Sequence, residues 1–279
     1  MHLIIKKILC LALVIFIITI ITILIIFNCQ TTHDENTNPI EMENIMIHPY
    51  DDSPKYNLAF YTCFYGVKSN IAFKIPELPS NNYDCYFFSN NTEMLLTLKF
   101  TNWISIFDDK PITTDEVISS MNSKHLKSLP EDFIILKKYD YLCYLDSKVK
   151  KINETFVENL IKKYFIDKNY ALLIRTHDFL KGFVWDEYKE SMLQSRYRSE
   201  KHKYKKYIKE QKNAGLSETT EKHAMTGFLI RNMRNPNTII LDKKWYTHIQ
   251  KCGIQCQISF FFIKQMFVND ILIFDESPY

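Results

Sequence analysis

The sequence predicts an α/β fold built on a mainly parallel sheet flanked by helices, and three observations carry that prediction. Short runs rich in aromatic and β-branched residues alternate along the chain with segments whose apolar residues recur every three or four positions. Several of those runs are apolar without a break, the pattern of strands covered on both faces. Hydrophobic residues make up 46% and charged residues 24% of the 279 positions, with only 5 Gly. That composition supplies one sizeable core and excludes wholesale disorder or a collagen-like chain. The formal charge of +3, from 35 Lys+Arg against 32 Asp+Glu, is too small to argue for a nucleic-acid partner. The 7 Cys are too few for a disulfide scaffold and too scattered for a structural zinc module.

From the N-terminus, residues 8–27 carry no charge and would make about 30 Å of helix, one hydrocarbon thickness. A cleaved signal peptide has a shorter apolar core that ends at small residues. Here the stretch ends Ile25-Ile26-Phe27-Asn28-Cys29, so residues 1–29 read as a cytoplasmic tip and an uncleaved signal anchor, a single transmembrane helix. Lys6 and Lys7 precede it, and Asp34, Glu35, Glu41 and Glu43 follow. By the positive-inside rule this gives a single-pass type II membrane protein with a lumenal globular part, in a Golgi- or ER-type membrane. Residues 30–55 are polar and acidic and read as a stem, which leaves 56–279 as the globular domain. Translocation would put Cys63, Cys85, Cys143, Cys252 and Cys256 in an oxidising space, with their pairing open. Asn90-Asn91-Thr92 and Asn153-Glu154-Thr155 are glycosylation sequons, consistent with that side of a membrane.

In the domain, residues 58–65, 83–89, 103–107, 141–145 and 170–174 read as strands. Residues 120–138 and 154–165 read as helices by their three-and-four spacing. Residues 184–212 look like one long helix with an apolar stripe through Trp185, Tyr188, Met192, Tyr197, Tyr204, Tyr207 and Ile208. Its second half is strongly basic, either a solvated face or a grip for anions. A strand at 224–231, a helix around 243–251 and an amphipathic helix at 255–267 follow. Cys252 and Cys256, four apart, are expected to face the same way on one helix. No Gly-rich phosphate loop is present.

The segment richest in chemistry is 139–149, a buried-strand pattern that delivers Asp146, Ser147 and Lys148 at its carboxyl end. Open α/β sheets bind ligands outside the carboxyl ends of their strands. An Asp there can ligate Mg²⁺ or Mn²⁺ on a diphosphate or hydrogen-bond a ribose, and a Lys can neutralise a phosphate. The bland alternative is that Asp146 caps the next helix and Lys148 is solvated.

Asp146-Ser147-Lys148 resembles a degenerate D-x-D element of GT-A glycosyltransferases. The ordered series Tyr61–Gly66, Asp84–Ser89, Lys124-His125-Leu126-Lys127, 139–149, Arg175-Thr176-His177, Trp185-Asp186-Glu187, Gly227–Asn232, Trp245 and Gln257–Phe260 resembles, more narrowly, a glycosyltransferase-like domain of plant mucilage and pollen-tube proteins. The resemblance implies a GT-A-like sheet and a membrane-anchored enzyme. Such an enzyme moves a sugar from a nucleotide-sugar donor to a glycan, glycoprotein or glycolipid hydroxyl. It implies catalytic roles for Asp146, Glu187 and Gln257, donor contacts from Lys124, Ser147, Lys148 and Arg175, and a divalent cation (Mn²⁺ or Mg²⁺) held by Asp146 and His177. Two departures stand out: Lys148, where relatives commonly read Asp-Gly-Asn or similar, which puts the cation in doubt and leaves a metal-free or weakly metal-dependent site open, and Cys256-Gln257-Ile258-Ser259, where relatives tend to carry an Asp first. They keep open a non-catalytic glycan-binding or scaffold protein on the same fold. A ceramidase-like lipid amide hydrolase is a further alternative, since one plant relative is assigned that activity.

Overall fold

The computed structural model describes residues 55–67 and 74–277. Seven strands form its centre: Leu58–Phe64 (β1), Asp84–Ser89 (β2), Ile104–Phe107 (β3), Tyr141–Leu145 (β4), Leu172–Thr176 (β5), Ala224–Asn232 (β6) and Ile271–Phe274 (β7). They lie in the order β3-β2-β1-β4-β6-β5-β7. Four of the six pairings are parallel; β6 runs antiparallel to both of its neighbours, β4 and β5. The mainly parallel sheet expected from sequence is present, with one reversed strand.

The reversal has a local cause. After β5 the chain leaves on an excursion of helices and comes back at the same end of the sheet, where the His177 N–H donates to the His223 carbonyl at 2.8 Å. A strand that starts from the end where its predecessor stopped must run the opposite way.

Helices cover both faces. They are Thr92–Thr97 (α1), Glu116–Ser128 (α2), Glu154–Leu160 (α3), Val184–Ser191 (α4), Ser195–Arg198 (α5), Lys201–Asn213 (α6), Pro236–Cys252 (α7) and Cys256–Met266 (α8). Alternation along the strands divides the core: Phe60, Phe87 and Cys143 pack toward α1 and α3. Tyr61, Phe88, Leu142 and Leu229 pack toward Leu126 of α2, Trp245 of α7 and Phe260 of α8. Because both faces are apolar, the strands read as unbroken runs rather than as alternation. A third cluster joins α4, α5 and α6 to α8 through Val184, Tyr197, Tyr204, Tyr207, Phe261 and Phe262.

Several expectations are corrected. The single helix over 184–212 is three helices, α4, α5 and α6. The apolar stripe steps by five between Met192 and Tyr197, about 140° out of register on a continuous helix, so burying both halves requires a break. The helix expected over 120–138 ends at Ser128, because Pro130 has no N–H to continue it; two short 3₁₀ turns follow. The second half of 154–165 is a π-helical turn, Ile161–Ile166. Cys252 and Cys256 lie on different helices, separated at Gly253 with φ 113°. A Cβ there would come within 2.5 Å of the Glu200 carboxylate, so glycine is required twice over. All five described cysteines are unpaired thiols. Asn90 of the first sequon is 1% exposed, and its amide donates to the carbonyls of Lys110 and Pro111, so it serves the fold. Two elements, α1 and β7, have no counterpart in the sequence reading. Among the described residues no helix is long and apolar enough to cross a membrane; the expected span at 8–27 and most of the stem lie outside the described residues.

Candidate active site

Strand β1 is followed on one side by β2 and β3 and flanked on the other by β4, so the chain order reverses between β1 and β4. The crevice outside the carboxyl ends of such a pair is where an open α/β sheet takes ligands. Here it is a cavity of about 840 Å³, reached by residues of β1, α2, β4, α4, α5, β6 and α8. That volume lies in the range of small-molecule and cofactor sites.

The first residue after β4 is Asp146. Its N–H donates to the Gly227 carbonyl at 2.8 Å. A Cβ on Gly227 would stand 3.3 Å from Asp146 Oδ2, so glycine lets β6 pass this close. Asp146 Oδ1 accepts from the Tyr144 hydroxyl at 2.6 Å, and Oδ2 lies 3.5 Å from the Lys127 ammonium. The Asp146 side chain remains 41% exposed and faces the cavity, while that of Lys127 is 1% exposed. Burial alone would raise the Asp146 pKa, but Lys127, Lys124 and the Tyr144 hydroxyl outweigh it and hold the carboxyl below its ordinary value.

Lys127 is fixed from several sides. Its Nζ donates to Thr226 Oγ1 at 3.3 Å and sits 4.9 Å from the Tyr144 ring centre. Its carbonyl accepts from Arg231 Nη2 at 2.6 Å. Arg231 is wholly buried, and its Nε reaches both Asp242 oxygens at 3.0 and 2.8 Å while Nη1 donates to the Tyr61 hydroxyl. This closed network ties α2, β6 and α7 together beneath the cavity. One turn earlier on α2, Lys124 also lines the cavity, on the same helix face as Lys127. Burial opposes the Lys124 charge, but Cys256, Tyr197 and Asp146 outweigh it and raise its pKa. Cys256 begins α8 and accepts or donates a bond with Thr226 Oγ1 at 3.4 Å. Burial would push its thiol up, and the two lysines override that and lower it.

Opposite these groups, Glu187 of α4 is 3% exposed. Its Oε1 accepts from Gln255 Nε2 at 2.7 Å and from Ser191 Oγ at 3.3 Å; Oε2 accepts from Gln257 Nε2 at 2.6 Å and lies 3.0 Å from His223 Nε2. Four partners fill the lone-pair capacity of a carboxylate. Glu187 therefore orients Gln257 toward the cavity rather than offering a free oxygen to a substrate. His223 sits behind it, 1% exposed, with Nδ1 lacking a hydrogen-bond partner among the described residues. His177 lines the cavity, but its Nδ1 faces the backbone amides of Phe179 and Leu180 at 3.4 and 3.3 Å. Its pKa is lowered, first by burial and further by His223, against the pull of Glu187.

The cavity thus gathers Asp146, Ser147, Lys148, Lys124, His177, Glu187 and Gln257 of the residues singled out from sequence. Arg175 is not among its lining; it pairs with Asp178 at 2.8 Å instead. A cation shared by Asp146 and His177 is not supported by their surroundings: among the described residues no group of three or more His, Cys, Asp or Glu is placed to hold a metal ion. Sequence reasoning passed over Lys127, Tyr144, Thr226 and Cys256 as site residues. For Lys127 the signal was present, since Lys124 and Lys127 are three apart on a helix and share a face. Arg196 and Arg198 of the basic stretch also line the cavity. By contrast Lys203, Lys206 and Lys212 pair with Glu200, Glu210 and Glu218, as a solvated face does.

No protein-family model matches the chain, and no curated protein does. Among solved structures it is similar to mouse xyloside xylosyltransferase 1 in its apo form, at 11% identity, 78% of this chain, 85% of that one and a TM-score of 0.45. It is similar to the apo bifunctional glycosyltransferase WbbM at 11% identity, 87% of this chain, 40% of that one and a TM-score of 0.43. It is also similar to the mannosyltransferase Ktr4p of S. cerevisiae at 13% identity, 88% of this chain, 73% of that one and a TM-score of 0.42. Likenesses this distant describe shape alone.

Proposed function

We propose that the chain is a glycosyltransferase that moves a sugar from a nucleotide-sugar donor to a hydroxyl of a glycan, glycoprotein or glycolipid. The observation that carries this reading is the meeting of Asp146 with Lys124 and Lys127 in a cavity of about 840 Å³ at the β1/β4 switch point. Two ammonium groups suit a diphosphate, and a carboxylate with one exposed edge suits a ribose or sugar hydroxyl. Gln257, oriented by Glu187, is a neutral hydrogen-bonding group suited to the sugar or acceptor.

In the reaction, an acceptor hydroxyl oxygen forms a bond to the anomeric carbon. The bond from that carbon to the diphosphate oxygen breaks, and its electron pair leaves with the nucleoside diphosphate. The hydroxyl proton passes to the departing phosphate oxygen. The cations lining the cavity stabilise the charge that develops there, which is worth more in a partly dry site than in water. With residues 8–27 as its anchor, the enzyme would work on the lumenal side of an internal membrane.

The test is a thermal-shift and turnover screen of the full chain against UDP- and GDP-sugars. A donor at a hundredfold excess over its Kd stabilises the folded state by about 2.7 kcal/mol. A rise in Tm with one nucleotide series, together with release of that nucleoside diphosphate, supports the reading. Neither a shift nor release with any donor at saturation removes it in favour of a non-catalytic binding protein.

A further inference from the structure

The sequence resemblance implies a divalent cation at the donor diphosphate and puts it in doubt at Lys148; the residues the fold brings together do not fit one. Asp146 is the carboxylate that follows β4 at the switch point, and both of its oxygens already face donors; Glu116, Glu187 and Glu190 also line the cavity, but among the described residues no three such groups are placed to hold a metal ion. Oδ1 takes the Tyr144 hydroxyl at 2.6 Å, and Oδ2 faces the Lys127 ammonium at 3.5 Å. A dication bound to Oδ2 would stand within roughly 6 Å of that ammonium, in surroundings where like charges repel by several kcal/mol. His177, the other expected ligand, has Nδ1 turned to two backbone amides. Lys148, two residues after Asp146, lines the cavity as a further cation.

The charge that a cation would bring is meanwhile built into the chain. Lys127 is 1% exposed, a burial that an ammonium ion tolerates only with fixed partners. Asp146, Thr226 and the Tyr144 ring supply them, and the Arg231 bond to the Lys127 carbonyl fixes its backbone. Lys124 stands one turn away on the same face of α2. Together the two lysines carry the formal charge of one divalent ion and line the same cavity as Asp146.

We propose that this site takes the diphosphate of its donor without a divalent cation, with Lys124 and Lys127 as the groups that bind it and stabilise its departure. This rests on the transferase reading above. The chemistry needs no further reactant: the carbon–oxygen bond of the donor breaks toward the diphosphate, whose new negative charge the two ammonium groups meet directly.

Calorimetric titration of the full chain with UDP and with GDP, each in EDTA and in Mn²⁺, decides it. The expected result is binding of one nucleotide with a Kd that agrees within about threefold between the two conditions. Lys127→Met, which keeps the stem but removes the charge, weakens it at least about tenfold. The wild-type comparison of EDTA with Mn²⁺ needs no variant to fold; a Lys124→Gln variant, changed at a less buried position, provides a second loss of affinity. Binding that appears only with Mn²⁺ and is erased by EDTA overturns the proposal and leaves the transferase reading standing. Absence of binding in both conditions overturns the two together, so the Mn²⁺ arm separates the failures.

Discussion

Two ion pairs lie on either side of the Lys127 backbone and differ in kind. Arg231 and Asp242 are each 0% exposed and meet at 2.8 and 3.0 Å, with the remaining guanidinium nitrogens given to Tyr61 and to the Lys127 carbonyl. Burial raises the Asp242 carboxyl from 3.8 to about 7, and Arg231 offsets only part of that rise. Lys127 and Asp146 are 3.5 Å apart, with the lysine buried and the carboxylate 41% exposed. The first pair is closed, since every group in it has a protein partner and nothing faces solvent. The second is open, with a charge held at the edge of a cavity. The difference teaches that a buried charge near a site serves the scaffold when its partners are complete, and serves a ligand when one partner still faces the crevice.

Breaking the closed pair gives the largest effect. Arg231→Met leaves Asp242 buried without its counter-ion and is expected to destabilise the fold by about 3–5 kcal/mol. That is a fall in Tm of roughly 6–20 °C, read by calorimetry. A variant that melts with the wild type would show that the pair is not scaffold. The open pair should behave in the opposite sense. Asp146→Asn keeps the shape and should shift Tm by only a few degrees, yet lower transfer at least about a hundredfold, near 2.7 kcal/mol of barrier. Full turnover in that variant would end the assignment of Asp146 to the site.

A third buried group tests whether closure alone predicts pH behaviour. His248 is 6% exposed, with Nδ1 2.6 Å from the Tyr207 hydroxyl. Burial, with Lys244 and Lys251 nearby, depresses its pKa from 6.5 to about 4. Between those values the unfolded chain binds a proton that the folded chain does not. The contribution is therefore complete above pH 6.5 and lost as pH falls toward 4. About 2 kcal/mol should disappear between roughly pH 7 and pH 5 in urea titrations, and His248→Gln should remove that part of the slope. An unchanged slope in the variant would place the acid sensitivity elsewhere. The smallest effect belongs to a pair with no closure on either side. Lys206 and Glu210 are 3.8 Å apart and 80% and 51% exposed. Lys206→Ala should change stability by less than about 0.5 kcal/mol, and a larger loss in chemical denaturation would mean that the basic helix face has a partner in the fold.

Much of the scaffold was legible because its strands announce themselves locally. Residues 58–64 and 141–145 and the centre of 84–89 are dominated by apolar and aromatic residues, and each is a strand close to where the sequence places it. Asp146 was legible too, as the first polar residue after such a run. Less legible were β6's direction, the three-way break of 184–212 and the strand Ile271–Phe274, although the run Ile-Leu-Ile-Phe is a short apolar signal of the usual kind. The direction of a strand depends on where the preceding excursion returns, and the break depends on which side of each helix has a core to meet. Neither is written in a window of ten residues.

The same division holds at the site. The sequence by itself determined that an α/β sheet would form and that an acid and a base would follow β4, because side-chain period and strand composition are local properties. Only the tertiary structure decided that Lys127 rather than Lys148 faces the Asp146 carboxylate at 3.5 Å, that Glu187 is filled by four partners, and that Arg175 turns to Asp178. Those outcomes depend on which elements cross at the switch point, and electrostatic partnership at a few ångströms is set by that crossing and not by order along the chain.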